Sequence, residues 1–132
     1  MPKKILIIED EQYLADMYKM KFEHEGYEVE LVYDGERGIE RARKSRPDLV
    51  LLDLVLPKID GYAVLRALRA NKKTKNLKIY ILSNLGQEEE IEEGFKNGAN
   101  GYLIKANVTP AQLVKSVEKI FHGQDVGIQK RE

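Results

Sequence analysis

The chain has 132 residues, of which 42 % are hydrophobic and 33 % charged, and its 22 basic and 22 acidic side chains cancel. This composition is typical of one soluble globular domain, and it does not favour non-specific nucleic-acid binding, which needs a basic excess. The lack of cysteine excludes disulfides, zinc ribbons and thiol nucleophiles, two isolated histidines exclude a His-rich metal centre, and no apolar run approaches the ~18 residues of a membrane span.

Short apolar runs recur along the chain and predict five strands. Ile5–Ile8 and Leu49–Leu52 are unbroken aliphatic tetrads, which are typical of strands buried on both faces of a parallel sheet. The run from Tyr27 to Val32 alternates apolar and charged residues, which indicates a more exposed edge strand. The predicted strands are Lys4–Ile8, Tyr27–Val32, Asp48–Leu52, Lys78–Leu82 and Gly101–Ile104.

Amphipathic stretches between and after these runs predict five helices. The first has apolar residues at helical spacing from Leu14 to Phe22, and Gly26 prevents it from continuing. The last begins with Thr109 as its cap and Pro110 at its first position. The predicted helices are Leu14–Phe22, Glu36–Ser45, Tyr62–Ala70, Gln87–Asn97 and Pro110–Phe121. Strict alternation of strand and helix predicts an α/β fold, a doubly wound parallel sheet with helices on both faces.

Polar side chains follow the predicted strands, at the edge where such folds bind their ligands. They are Glu9, Asp10, Glu11, Asp53, Ser83, Asn84 and Lys105. Two carboxylates ~4 Å apart repel by about 4 kcal/mol at an effective dielectric constant of ~20, so this cluster needs a divalent cation, a lysine or a raised pKa. Oxygen ligands with open positions suit Mg²⁺. A nucleophilic carboxylate beside Mg²⁺, an ammonium and a hydroxyl indicates phosphoryl transfer to an aspartate.

Four blocks of the sequence resemble the receiver domain of two-component response regulators, over residues 3 to about 122. The blocks are Ile-Leu-Ile-Ile-Glu-Asp-Glu (5–11), Pro-Asp-Leu-Val-Leu-Leu-Asp-Leu-Val-Leu-Pro-Lys-Ile-Asp-Gly (47–61), Ile-Leu-Ser-Asn (81–84) and Gly-Ala-Asn-Gly-Tyr-Leu-Ile-Lys (98–105). The resemblance implies a flavodoxin-like (βα)5 fold with strand order 2-1-3-4-5. We expect a receiver domain over residues 1–122 and a frayed tail over residues 123–132.

The resemblance also implies the acceptor and the metal ligands. Asp53 would be the phospho-acceptor and would contact Mg²⁺. Asp10 would be a direct Mg²⁺ ligand, and Glu9 would act through water. The backbone carbonyl of Val55 would complete the protein ligands.

Three further residues match the switch positions of the family. Ser83 would be the hydroxyl that moves to bind a phosphoryl oxygen, Lys105 would pair with the phosphoryl group, and Tyr102 would be the aromatic ring whose rotamer reports phosphorylation. Two departures stand out. Ala106 stands where the family usually has a cis proline. A cis peptide bond before a residue other than proline costs ~2.5–4 kcal/mol. Either that strain is tolerated here, or the loop takes a trans path and aims Lys105 differently. Asn84 replaces a small residue and could narrow access to the site.

These residues lead us to expect a cytoplasmic phospho-accepting switch. A sensor histidine kinase or phosphotransfer protein would supply the phosphoryl group. Because the fold takes up nearly the whole chain, output would come from contact with a downstream protein target, with no direct binding to nucleic acid or membrane. We expect a monomer or a weak phosphorylation-dependent dimer. Apart from self-phosphorylation from a donor and autodephosphorylation, the protein would not be an enzyme.

Two other functions compete with this one. A receiver fold that no longer switches would serve as a constitutive interaction module, and Ala106 and Asn84 are its support. An aspartyl-phosphate phosphatase would want a general acid two residues after its nucleophile, where this chain has Val55. A dinucleotide or flavin site would want a Gly-rich first turn, whereas this turn is Glu-Asp-Glu.

Overall fold

The structure is a computed structural model that describes residues 1–130, which form one five-stranded sheet with helices on both faces. The strands are β1 (Lys4–Ile8), β2 (Glu28–Val32), β3 (Leu49–Leu52), β4 (Ile79–Ser83) and β5 (Gly101–Ile104). The helices are α1 (Gln12–His24), α2 (Gly35–Ser45), α3 (Gly61–Ala70), α4 (Glu88–Lys96) and α5 (Pro110–Phe121). A short 3-10 turn over Lys105–Asn107 follows β5.

The sheet has the order β2-β1-β3-β4-β5, and every neighbouring pair is parallel. The predicted fold class and strand order are therefore confirmed. The aliphatic tetrads of β1 and β3 are buried, whereas β2 is mostly half-buried at its edge position. β1 pairs with β2 on one side and β3 on the other, so the chain reverses its direction of winding between β1 and β3. The carboxyl ends of those two strands are where a ligand site is expected.

Alternate side chains of each buried strand enter different hydrophobic cores. Leu6 and Ile8 of β1 pack with apolar residues of α2, α3 and α4 on one face of the sheet. Ile5 and Ile7 pack with apolar residues of α1 and α5 on the other face. This two-sided burial follows from the period of two along a strand, and it holds the strand ends in fixed register.

The segment after α5 departs from the prediction. The amide of Tyr102 donates to the Ile128 carbonyl (3.2 Å), and the Ile128 amide donates back to the Tyr102 carbonyl (2.9 Å), which makes an antiparallel bridge on β5. Val126 packs against the core on the α1 and α5 face. The expectation of a frayed tail is therefore wrong for residues 126–128, because β5 is a sheet edge with free backbone groups that this segment can pair. Residues 131 and 132 of the predicted tail lie outside the described residues.

None of the helices in residues 1–130 combines the length and the apolar character that a membrane crossing requires.

Candidate functional site

Three carboxylates converge at the carboxyl ends of β1 and β3. Glu9 and Asp10 directly follow β1, and Asp53 directly follows β3. Oxygens of the three side chains lie within 4.8 Å of one another. The amide of Asp53 donates to the Ile8 carbonyl at 3.0 Å, so continued pairing of β1 and β3 fixes this closeness. Glu9 and Asp53 are buried and Asp10 is exposed, which leaves the cluster open to solvent through Asp10.

Lys105 reaches this cluster from the end of β5. Its Nζ lies 2.8 Å from Oδ2 of Asp53 and 2.5 Å from Oε1 of Glu9, and its side chain is only 10 % exposed. The Lys105–Ala106 peptide bond is trans. We expected that a trans loop would aim Lys105 differently, but the trans loop still brings Lys105 to Asp53.

Burial and ion pairing shift the pKa values of Lys105 and Glu9 in opposite directions. Desolvation alone would lower the pKa of Lys105, but hydrogen bonds and Coulombic attraction from Asp53 and Glu9 outweigh it and raise the pKa. Burial raises the pKa of Glu9, although hydrogen bonds from Lys105 and the Glu11 amide partly oppose that shift. Lys105 is thus charged at neutral pH, and Glu9 holds a proton more readily than a free glutamate.

One ammonium does not neutralise three carboxylates. The carboxylates of Glu9, Asp10 and Asp53 form a hard, oxygen-only donor set, and Asp10 is exposed to solvent. That donor chemistry fits a divalent cation such as Mg²⁺, which keeps several waters and accepts phosphate oxygens. The residues present therefore fit the predicted metal.

Val55 lies beside the acceptor in the loop after β3. Its amide donates to Oδ1 of Asp53 at 3.3 Å, and its side chain is exposed. This contact keeps the loop close to the carboxylate. The role of its carbonyl as a metal ligand stays a prediction.

Ser83 and Tyr102 both connect to the loop after β4. Ser83 ends β4 and is fully buried, and its hydroxyl oxygen accepts from the Leu85 amide at 3.3 Å. Tyr102 is also fully buried, and its phenol donates a short hydrogen bond to the Leu85 carbonyl. Leu85 therefore links the two predicted switch residues, and the Tyr102 ring points inward.

The sequence analysis missed two contacts of the site. It paired Lys105 only with the phosphoryl group on Asp53, whereas Lys105 contacts the carboxylates of both Asp53 and Glu9. It treated Asn84 only as an obstacle to access, whereas Oδ1 of Asn84 accepts a hydrogen bond from the Ala106 amide at 3.0 Å. The replacement of proline by alanine was the available indication of the second contact, because proline has no amide hydrogen to donate.

Comparison with known proteins identifies the family. The family model described as "Response regulator receiver domain" matches residues 5–118. The DNA-binding dual master transcriptional regulator RpaA of Synechocystis is 40 % identical over 102 residues, which cover 77 % of this chain and 42 % of that protein. The chain spans less than half the length of the first curated relatives that it matches.

Solved structures agree with this result. The chemotaxis response regulator CheY4 of Vibrio cholerae has a TM-score of 0.84 at 28 % identity, over 91 % of this chain and 99 % of that one. The phosphorylated cyanobacterial phytochrome response regulator RcpA has a TM-score of 0.84 at 28 % identity, over 96 % of this chain and 98 % of that one. With the acidic cluster and lysine at the strand ends, these matches show that the chain belongs to the response-regulator receiver-domain family.

Proposed function

We propose that the protein is a phospho-accepting switch of a two-component or phosphorelay system, with Asp53 as the acceptor. The observation that carries this proposal is the convergence of Asp53, Lys105 and the acidic pair Glu9 and Asp10 at one strand edge. An aspartate held beside a cation and a metal-binding donor set is placed to attack a phosphoryl group, since catalysis of this transfer depends mainly on positioning and electrostatics.

In the proposed reaction, an oxygen of Asp53 attacks the phosphorus of a phosphohistidine on a histidine kinase or phosphotransfer protein. The P–O bond forms as the P–N bond breaks, the electron pair leaves with the imidazole nitrogen, and that nitrogen takes up a proton. Water later hydrolyses the acyl phosphate, which restores the carboxylate and releases inorganic phosphate. Apart from this self-phosphorylation and autodephosphorylation, we propose no enzymatic turnover.

Asp10, Asp53 and the Val55 carbonyl, with Glu9 through water, would hold Mg²⁺. When bound, the ion would neutralise charge on the phosphoryl oxygens. Lys105 already lies 2.8 Å from an Asp53 oxygen, so a small movement would let it pair with the phosphoryl group instead. This exchange of partners would free Glu9.

The output would be a change in protein contacts. A phosphoryl group carries about −1.5 to −2 charges, so it attracts the Ser83 hydroxyl and Lys105. Movement of Ser83 would disturb its bond with the Leu85 amide, and Leu85 also holds the Tyr102 phenol. We propose that the α4–β5–α5 surface changes in this way and is read by a downstream protein in the cytoplasm, as a population shift between two states.

Intact mass after incubation with acetyl phosphate, with and without Mg²⁺, tests the proposal. The wild type should gain one phosphoryl group only with Mg²⁺. Asp53→Asn should gain none, because the amide is a poor nucleophile. Asp16→Asn, which changes an exposed aspartate of α1, is the matched control and should be labelled like the wild type.

Labelling of Asp53→Asn on another single residue would overturn the assignment of the acceptor. If the wild type shows no adduct, the NMR spectrum with beryllofluoride, a stable phosphoryl mimic, decides between rapid hydrolysis and an inert site. Shifts around Ser83 and Tyr102 would support the switch. An unchanged spectrum would favour a non-switching interaction module.

A further inference from the structure

The loop that carries Lys105 has a backbone hydrogen-bond donor at residue 106, which a proline at that position would lack. Residue 106 is alanine where the family usually has proline, so its amide keeps a hydrogen. That amide lies in the first turn of the 3-10 segment Lys105–Asn107, where the turn itself offers no acceptor. Its partner comes from a different loop, since Oδ1 of Asn84 accepts from it at 3.0 Å.

The two loops meet because of the register between their strands. Ser83 pairs with Ile104 at the carboxyl ends of β4 and β5. Asn84 directly follows β4 and Lys105 directly follows β5, so the two loops begin side by side. The Asn84 side chain then spans the gap to the residue after Lys105. This hydrogen bond at the Ala106 amide restrains the backbone next to Lys105, from which the Lys105 side chain extends.

We propose that Asn84 is a positioning residue that holds Lys105 against Asp53 and Glu9 by fixing the Ala106 amide. Asn84 and the non-proline residue 106 then act as a pair, in which a side-chain hydrogen bond restrains the loop. The role in phosphoryl transfer rests on the proposed function, but the positioning of Lys105 in the resting protein does not.

The alternative is that Asn84 only narrows access to Asp53, and two variants separate these roles. Asn84→Ala removes both the acceptor and the bulk, whereas Asn84→Leu removes the acceptor and keeps the bulk. Positioning predicts the same effect from both variants. A steric gate predicts an effect from Asn84→Ala alone. Asn107→Ala changes an exposed asparagine of the same turn and is the matched control.

The first measurement is the side-chain ammonium NMR resonance of Lys105, which its two carboxylate partners should protect from rapid exchange. We expect this resonance in the wild type and in Asn107→Ala, and its broadening or loss in Asn84→Ala and Asn84→Leu. A Lys105 resonance that is unchanged in both Asn84 variants would overturn the proposal. This result does not require phosphorylation, so it separates failure of the proposal from failure of the proposed function.

The second measurement is the rate of labelling by acetyl phosphate with Mg²⁺ in excess. Loss of one hydrogen bond should slow labelling roughly three- to tenfold in both Asn84 variants. In a Lys105→Met background, Asn84→Ala should change the rate no further, because Asn84 acts through Lys105. A faster rate in Asn84→Ala with a normal rate in Asn84→Leu would show a gate and contradict positioning.

Discussion

Lys105 stabilises two buried carboxylates at once, so the resting site depends on a single ammonium. The side chains of Glu9 and Asp53 are 3 % and 6 % exposed, and charges this buried are costly without a partner. Lys105→Met should lower the free energy of unfolding at pH 7 by about 3 kcal/mol, the cost of breaking a buried pair. Urea unfolding followed by circular dichroism measures this change, and Lys115→Met, on the exposed side of α5, should have little effect.

The destabilisation caused by Lys105→Met should depend on pH, in a direction that follows from the pKa of Glu9. The pKa of Glu9 is raised in the folded state by burial, so the folded state binds its proton more tightly than the unfolded state. The stability that this group contributes is present below its unfolded pKa and is lost as the pH rises through its folded pKa. Removal of Lys105 raises that pKa further, so Lys105→Met should be less destabilised near pH 4.5 than at pH 7. Equal destabilisation at both values would contradict this account of the site.

At the scale of elements, α4 lies close to the sheet because of a glycine. A β-carbon at Gly94 would lie 2.6 Å from Cδ1 of Ile81 and 3.4 Å from the Tyr102 ring. Gly94→Ala gains helix propensity worth about 1 kcal/mol. Overpacking against β4 typically costs about 1–3 kcal/mol, so we expect a net destabilisation of about 1 kcal/mol. Thermal unfolding measures the effect, with Glu92→Ala on the exposed face of α4 as control.

Displacement of α4 should also change the surroundings of Tyr102, one of the predicted switch residues. Because Tyr102 is packed beneath Gly94, its ring resonances should shift in Gly94→Ala and stay unchanged in Glu92→Ala. A Gly94→Ala protein as stable as the wild type, with unshifted Tyr102 resonances, would show that α4 can move away from the sheet without cost.

The sequence predicted most of the elements because their patterns are local. The tetrads of β1 and β3 could be recognised without knowing their neighbours, and parallel pairing then brought Asp53 to Asp10. The bond from Ala106 to Asn84 and the second partner of Lys105 could not be predicted, since they depend on loop paths and side-chain rotamers. The pairing of Ile128 with β5 was missed because a single backbone bridge leaves no periodic pattern in the sequence.

For the whole molecule, that bridge matters because β5 is an edge of the sheet. Edge strands with free backbone groups tend to pair with other chains, and Ile128 occupies the amide and carbonyl of Tyr102. Ile128→Pro removes the amide that donates to Tyr102 and should increase self-association. Sedimentation velocity over a range of concentrations measures this, with Ile128→Ala, which keeps the amide, as control. Equal association in the two variants would show that the backbone pair does not protect the edge.

The same bridge ties a residue outside the family match to one inside it. The Tyr102 backbone is hydrogen-bonded to Ile128, while its side chain is bonded to the Leu85 carbonyl beside the site. The amide protons of Tyr102 and Ile128 should therefore exchange with deuterium through one shared opening of the sheet edge. Deuterium uptake at Ile128 would then measure the free energy of that opening, and any chemical change at Asp53 that loosens Tyr102 would be recorded at the Ile128 amide.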